Sequence, residues 1–81
     1  MEELVSSFEK NALEEVRVSL TEFKGHQLID LRVYYTSPDG EPRPTKKGLA
    51  ISVGLYPELK EALVKLEQVL KDKGLLTDSE T

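Results

Sequence analysis

Eighty-one residues bound this chain to one small domain with a modest core. It has no cysteine, which excludes disulfides and thiolate metal sites, and no apolar run long enough to cross a membrane as a helix. The net charge of −4 argues against a simple polyanion binder, yet residues 16–56 hold six bases against four acids and are net positive, while the acids concentrate in the two ends.

Residues 1–13 carry Leu4, Val5, Phe8 and Leu13 in no clean period, which leaves a short helix and the entry to a strand both open. The acidic start, Met1-Glu2-Glu3, lacks the basic and apolar regions of a secretory signal, so an intracellular, soluble protein is expected. Glu14 to Phe23 alternates Val16, Val18 and Leu20 with Arg17, Ser19 and Thr21, the period of a half-buried strand. Lys24-Gly25-His26 suits a turn. Leu28 to Tyr35 is a second strand: Ile29, Leu31, Val33 and Tyr35 fall on the core side, and Arg32 projects from the other. T-S-P-D-G-E-P-R-P-T reads as a ten-residue loop whose Pro38-Asp39-Gly40 is a turn signal. Within it Pro42 and Pro44 keep the backbone around Arg43 extended.

Leu49 to Val53 is a short third strand. A helix follows, with Leu59, Leu63, Leu66 and Leu70 on one stripe and Ala62 and Val69 beside it. Its start has two candidates, Pro57 as the first helical residue or Ser52 as a cap. Gly74 is the expected stop. One helix against a small antiparallel sheet is the simplest arrangement that covers both apolar faces, and part of the stripe is free to serve a dimer seam.

Few chemistries are available. His26 is the only histidine, so no histidine metal cluster forms within one chain. The serines show no nucleophile elbow, and the dispersed glycines make no phosphate-cradling loop. Neither an enzyme nor a cofactor site is expected. Nucleic-acid binding has better support. Lys24 and His26 flank Gly25, Lys46 and Lys47 precede Gly48, and Arg43 stands in the extended loop, all suited to a phosphate backbone. Phe23, Tyr34 and Tyr35 offer faces on which unpaired bases stack, which favours single strands over duplex.

Two segments carry a more specific signal: V-S-L-T-E-F-K-G-H-Q-L-I-D-L-R-V-Y-Y, residues 18–35, and S-P-D-G-E-P-R-P-T-K-K-G-L-A-I, residues 37–51. In order, turn length and glycine position they resemble the C-terminal single-stranded-DNA-binding domain of the coactivator family called positive cofactor four, or p15. The resemblance covers roughly residues 10–70. It implies an α+β fold, a curved four-stranded antiparallel sheet followed by a C-terminal amphipathic helix, paired into a homodimer. A further strand would lie near residues 9–14. The domain would occupy 9–74, with a flexible N-terminal segment over 1–8 and a flexible tail over 75–81.

By position, the resemblance makes Phe23 the stacking phenylalanine and sets Tyr35 where the human member has a stacking tryptophan, with Tyr34 before it. It makes Lys24, Arg32, Arg43, Lys46 and Lys47 nucleic-acid contacts. His26 replaces a family lysine and supplies less charge at neutral pH, and Glu14 falls near another basic position. The basic, serine-rich regulatory region of the eukaryotic protein has no counterpart in these residues. The implied function is non-catalytic, largely sequence-independent binding of single-stranded DNA, RNA or melted duplex in transcription regulation, replication or repair. The location would be cytoplasmic, and nucleoid-associated in a prokaryote. The alternative is an adaptor that meets a transcription or repair protein and binds nucleic acid weakly.

Overall fold

Val16, Val18 and Leu20 stand directly across an antiparallel pair from Val33, Leu31 and Ile29. Rows of β-branched and aliphatic partners on one face hold a sheet in register, since a slip of one residue would turn them all to the other face. The computed structural model describes residues 2–76. In it this pair is β2, Glu14–Phe23, with β3, His26–Thr36. Lys24-Gly25 joins them, with φ of 52° and 81°. Two successive positive φ values make the tight hairpin turn whose twist matches that of its strands. Glycine adopts this freely and Lys24 does so at some cost.

β1, Glu3–Asn11, pairs with β2, and β4, Pro42–Ser52, pairs with β3, all antiparallel, in the order β1-β2-β3-β4. Register shifts occur between Leu4 and Ser6, between Glu9 and Asn11, and where β4 passes Arg32 to Tyr34. Such bulges bend the strands that carry them, so the sheet is an open, curved one with a C-terminal helix.

Two elements differ in extent from the sequence reading. The strand expected near residues 9–14 instead runs over Glu3–Asn11. The proline loop is mostly strand: Thr36, Tyr35 and Tyr34 pair with Pro42, Arg43 and Pro44, which leaves only residues 37–41 as the turn. Proline is tolerated there because β4 is an edge strand, and prolines at alternate positions need donate nothing toward β3.

Ser52 accepts a hydrogen bond from Gly54 N–H (3.2 Å) and caps a 3-10 turn, Val53–Leu55. The helix α1, Tyr56–Asp72, follows with Pro57 in its first turn. Each proposed start residue therefore has a part, Ser52 for the 3-10 turn and Pro57 for the helix proper. At the other end Gly74 has φ 72°. Leu75 N–H donates to Leu70 O (2.8 Å) and Gly74 N–H to Lys71 O (3.0 Å), the pair of bonds that closes a Schellman stop. The tail expected over 75–81 lies outside the described residues from 77 onward.

The helix does not close over the sheet. Tyr56, Leu59 and Leu63 from its first turns and Val5, Val18, Leu20, Ile29 and Leu31 from the sheet line an apolar cleft of about 400 Å³. No apolar side chain among the described residues is fully buried. The Cα radius of gyration is 15.1 Å, against about 11.7 Å for a compact chain of this length. The opposite face of the sheet carries Arg17, Ser19 and Phe23 on β2 and Asp30, Arg32 and Tyr34 on β3, and α1 lies on the other side. No described helix is long and apolar enough to cross a membrane.

Candidate nucleic-acid interface

The β2–β3 hairpin ends in a ring and two bases. Phe23 is 61% exposed, because it is the last residue of its strand and only His26 lies opposite it. The left-handed turn brings Lys24 Nζ to 5.3 Å from the Phe23 ring centroid. An exposed ring with a cation beside it can stack a base and meet its phosphate. Lys24, Lys46 and Lys47 form no ion pair among the described residues, so their charges are available.

Lys46 and Lys47 owe their position to the bulge in β4. Thr45 Oγ1 donates to Val33 O (2.8 Å) and accepts from Lys47 N–H (3.1 Å). That pins a segment in which three residues of β4 pass the single residue Val33. Both lysines are exposed.

Arg32 lies on the polar face, as the strand parity requires, but it is held down. Its Nε and Nη2 donate to Asp30 (3.0–3.2 Å) and its Nη1 to Thr45 O (3.0 Å). The hydrogen bonds to Asp30 raise its pKa further above the usual arginine value. Its side chain is 23% exposed. It offers few free donors, and Asp30 offsets its charge.

At the far end of the hairpin, Tyr35 is 40% exposed and pairs with Glu14 and Arg43. Eight residue steps separate the Tyr34 rung from the Phe23 rung, about 27 Å at ~3.4 Å per residue. One base cannot touch both ends. The tyrosine end is also acidic. Glu9, Glu14, Glu15, Tyr34 and Tyr35 share a polar cleft of about 150 Å³. Asn11 (2.8 Å) and Lys10 (3.2 Å) donate to Glu14. Together they lower its pKa, with the Lys47 charge adding a little. The sequence residues therefore gather in two groups, Phe23, Lys24 and His26 at the tip, and Tyr34, Tyr35 and Arg43 at the base, with Arg32, Lys46 and Lys47 between.

Arg43 is tied to Asp39 (2.9 Å). Asp39 is also bonded by the Ser37 hydroxyl and accepts from Glu41 N–H (3.0 Å). These contacts, the Ser37 hydroxyl first, hold its carboxyl below the usual range. A depressed folded-state pKa contributes stability that is complete above the unfolded value and is lost as pH falls through the folded one. Asp39→Asn should therefore lower the melting temperature at pH 7, and the gap from the parent should close below about pH 4. A constant gap down to pH 2 would refute the brace.

One residue went unnoticed in the sequence. Arg17 lies over the Tyr34 ring, Cζ 4.5 Å from its centroid. The only sequence signal was its place on the polar side of β2. Its partner depends on cross-strand register.

The sequence model of the family described as Transcriptional Coactivator p15 (PC4) matches residues 10–62. The chain is 37% identical over 59 residues to the RNA polymerase II transcriptional coactivator SUB1 of Saccharomyces cerevisiae, a match that takes in 72% of this chain. It spans only 20% of that protein's length. The crystal structure of a PC4 homolog from Burkholderia pseudomallei superposes with a TM-score of 0.76 at 22% identity, over 83% of this chain and 98% of that one. A bacteriophage T5 homolog of PC4, described as implicated in recombination-dependent DNA replication, superposes with a TM-score of 0.62 at 20% identity, over 99% of this chain and 86% of that one. At these identities the structural matches establish the fold.

Proposed function

The chain belongs to the Transcriptional Coactivator p15 (PC4) family, and from that premise we propose that it is a non-catalytic, homodimeric binder of single-stranded DNA with little sequence preference. The observation that carries this reading is the hairpin tip, where the exposed Phe23 ring lies beside Lys24 and opposite His26. Phe23 and Tyr35 stack bases. Lys24, His26, Arg43, Lys46 and Lys47 follow phosphates, and Arg32, its charge offset by Asp30, braces β3 and β4 beneath the path. Stacking and phosphate contacts tolerate any base, and they do not reject ribose, so single-stranded RNA and melted duplex are further ligands. The dimer supplies the cover that one chain lacks over its apolar cleft. The setting is transcription, replication or repair.

The acids around Tyr34 and Tyr35 favour a second reading, an adaptor for a transcription or repair protein that binds nucleic acid weakly. Titration of labelled oligothymidylate of about 20 nucleotides, at two salt concentrations and beside matched duplex, separates the two. The first reading requires preference for the single strand and affinity that falls steeply with salt. Phe23→Ala with Tyr35→Ala should then weaken binding by about 2–6 kcal/mol, at roughly 1–3 kcal/mol per lost base stack, with the melting temperature nearly unchanged. Equal, feeble binding to both DNA forms would leave the adaptor standing.

A further inference from the structure

Arg17 has no assigned role in the reading above. Its Nε is bonded to the Glu15 carboxylate, two residues back on the same face. Tyr34 is the cross-strand partner of Glu15, so Arg17 is its diagonal neighbour, within reach of a long side chain. Glu15 thus holds one edge of the guanidinium, while Cζ lies 4.5 Å from the centroid of the Tyr34 ring. The side chain remains 24% exposed, on the face of the sheet turned away from α1.

From this geometry we infer that Arg17 is a nucleobase-stacking platform, which deepens the single-strand reading and rests on it. A guanidinium is planar and stacks on aromatic faces, and unpaired bases stack on such planes as readily as on rings. With one face on Tyr34, the other is left for a base. Tyr34 is then the support of the platform and its covered face is closed to ligand, a different task from the direct stacking that residue type suggests. The Glu15 contact compensates the charge of Arg17, so its contribution comes from shape and changes little with salt. Arg17 stands on the same face of β2 as Phe23.

The test compares Arg17→Lys, which keeps the charge and loses the plane, with Arg17→Phe, which loses the charge and restores a plane. The probe is fluorescein-labelled oligothymidylate of about 20 nucleotides, followed by anisotropy across a salt series. Arg17→Lys should bind about tenfold more weakly, the scale of one lost stack, and Arg17→Phe should recover most of that loss. Parent-like affinity in Arg17→Lys would overturn the inference, as would equal losses in two variants that melt like the parent. If either variant unfolds, the parent protein decides. Its Arg17 Nε–H resonance should move under the ring current of a stacked base when oligothymidylate is added, and a resonance that stays in place overturns the platform. A parent protein that fails to bind the oligonucleotide at low salt defeats the single-strand reading itself, whereas a parent that binds beside an unaffected Arg17→Lys defeats only this inference.

Discussion

In the proposed homodimer, Leu63→Glu is expected to abolish pairing and most of the folded state at micromolar concentration. The reason is surface that a single chain cannot bury. A compact 9.1 kDa chain exposes about 4,900 Å², and this one exposes 6455 Å². The excess of roughly 1,500 Å² is surface that a compact chain of this size would not expose. Leu63 lines the apolar cleft and is 54% exposed in one chain. Covered by a second copy, it would lie where a carboxylate finds neither water nor a partner. Loss of the leucine costs about 2–5 kcal/mol and the buried charge several more, once in each protomer because a two-fold interface repeats every contact. A small domain has about 5–15 kcal/mol in total. Sedimentation and circular dichroism at several concentrations measure the outcome. The parent should be a dimer whose melting temperature rises with concentration, and Leu63→Glu a largely unfolded monomer. Lys65→Glu, on a well-exposed helix position, should change stability by only about 0.5 kcal/mol. A monomeric parent with a concentration-independent melt would sink the dimer.

The parts of the fold that could be read from the sequence are those in which period and burial coincide. Val16, Val18 and Leu20 alternate without interruption, and β2 has the predicted bounds, Glu14–Phe23. β1 escaped because it carries two register shifts, one at Val5 and one at Lys10. Each inserts a residue and inverts the parity that follows, and the one at Val5 leaves Leu4, Val5 and Phe8 without a period of two although all belong to one strand. The first half of β4 escaped for another reason. Pro42 and Pro44 argue against a central strand, and the sequence does not say that β4 is an edge. The candidate site divides in the same way. Phe23 and the lysines announce themselves by residue type and by the neighbouring glycines. Arg17 carries no local mark, since its meeting with Tyr34 exists only once β2 and β3 are in register. Asp30 is the opposite case: an acid inside a strand calls for a hydrogen bond or a salt bridge with a nearby Arg or Lys, and Arg32 supplies it. The missing cover over α1 follows from the apolar stripe together with the short chain, a sum that no single motif reveals.

Gly48→Ala is expected to destabilise the protein by about 1–3 kcal/mol, the usual cost of forcing atoms into a filled space. A Cβ at residue 48 would lie 2.7 Å from Leu31 O, 2.9 Å from Arg32 Cζ and 3.0 Å from Arg32 Cα. The guanidinium could swing aside, at the loss of its bonds to Asp30 and Thr45 O. The other two atoms belong to the backbone of β3, which is held on both sides by β2 and β4. Only β4 can retreat, and its retreat strains the neighbouring pairs Leu31–Leu49 and Asp30–Ala50. The melting temperature should fall by roughly 4–8 °C for each kcal/mol lost in a domain of this size. Gly54→Ala is the matched control, because its new Cβ would meet only Ser52 Oγ at an ordinary 3.6 Å. Adding Arg32→Ala to Gly48→Ala should relieve the clash with Cζ alone, so the double variant should recover part of the cost and the two effects should not add. Thermal melts of the parent, the three single variants Gly48→Ala, Gly54→Ala and Arg32→Ala, and the double variant, all at one concentration, decide the matter. Equal melting temperatures for Gly48→Ala and Gly54→Ala would mean that β4 does not press on Arg32 at all. If β4 does press there, the retreat also displaces Lys46 and Lys47, and affinity for single strands should fall in Gly48→Ala even at temperatures where the variant remains folded.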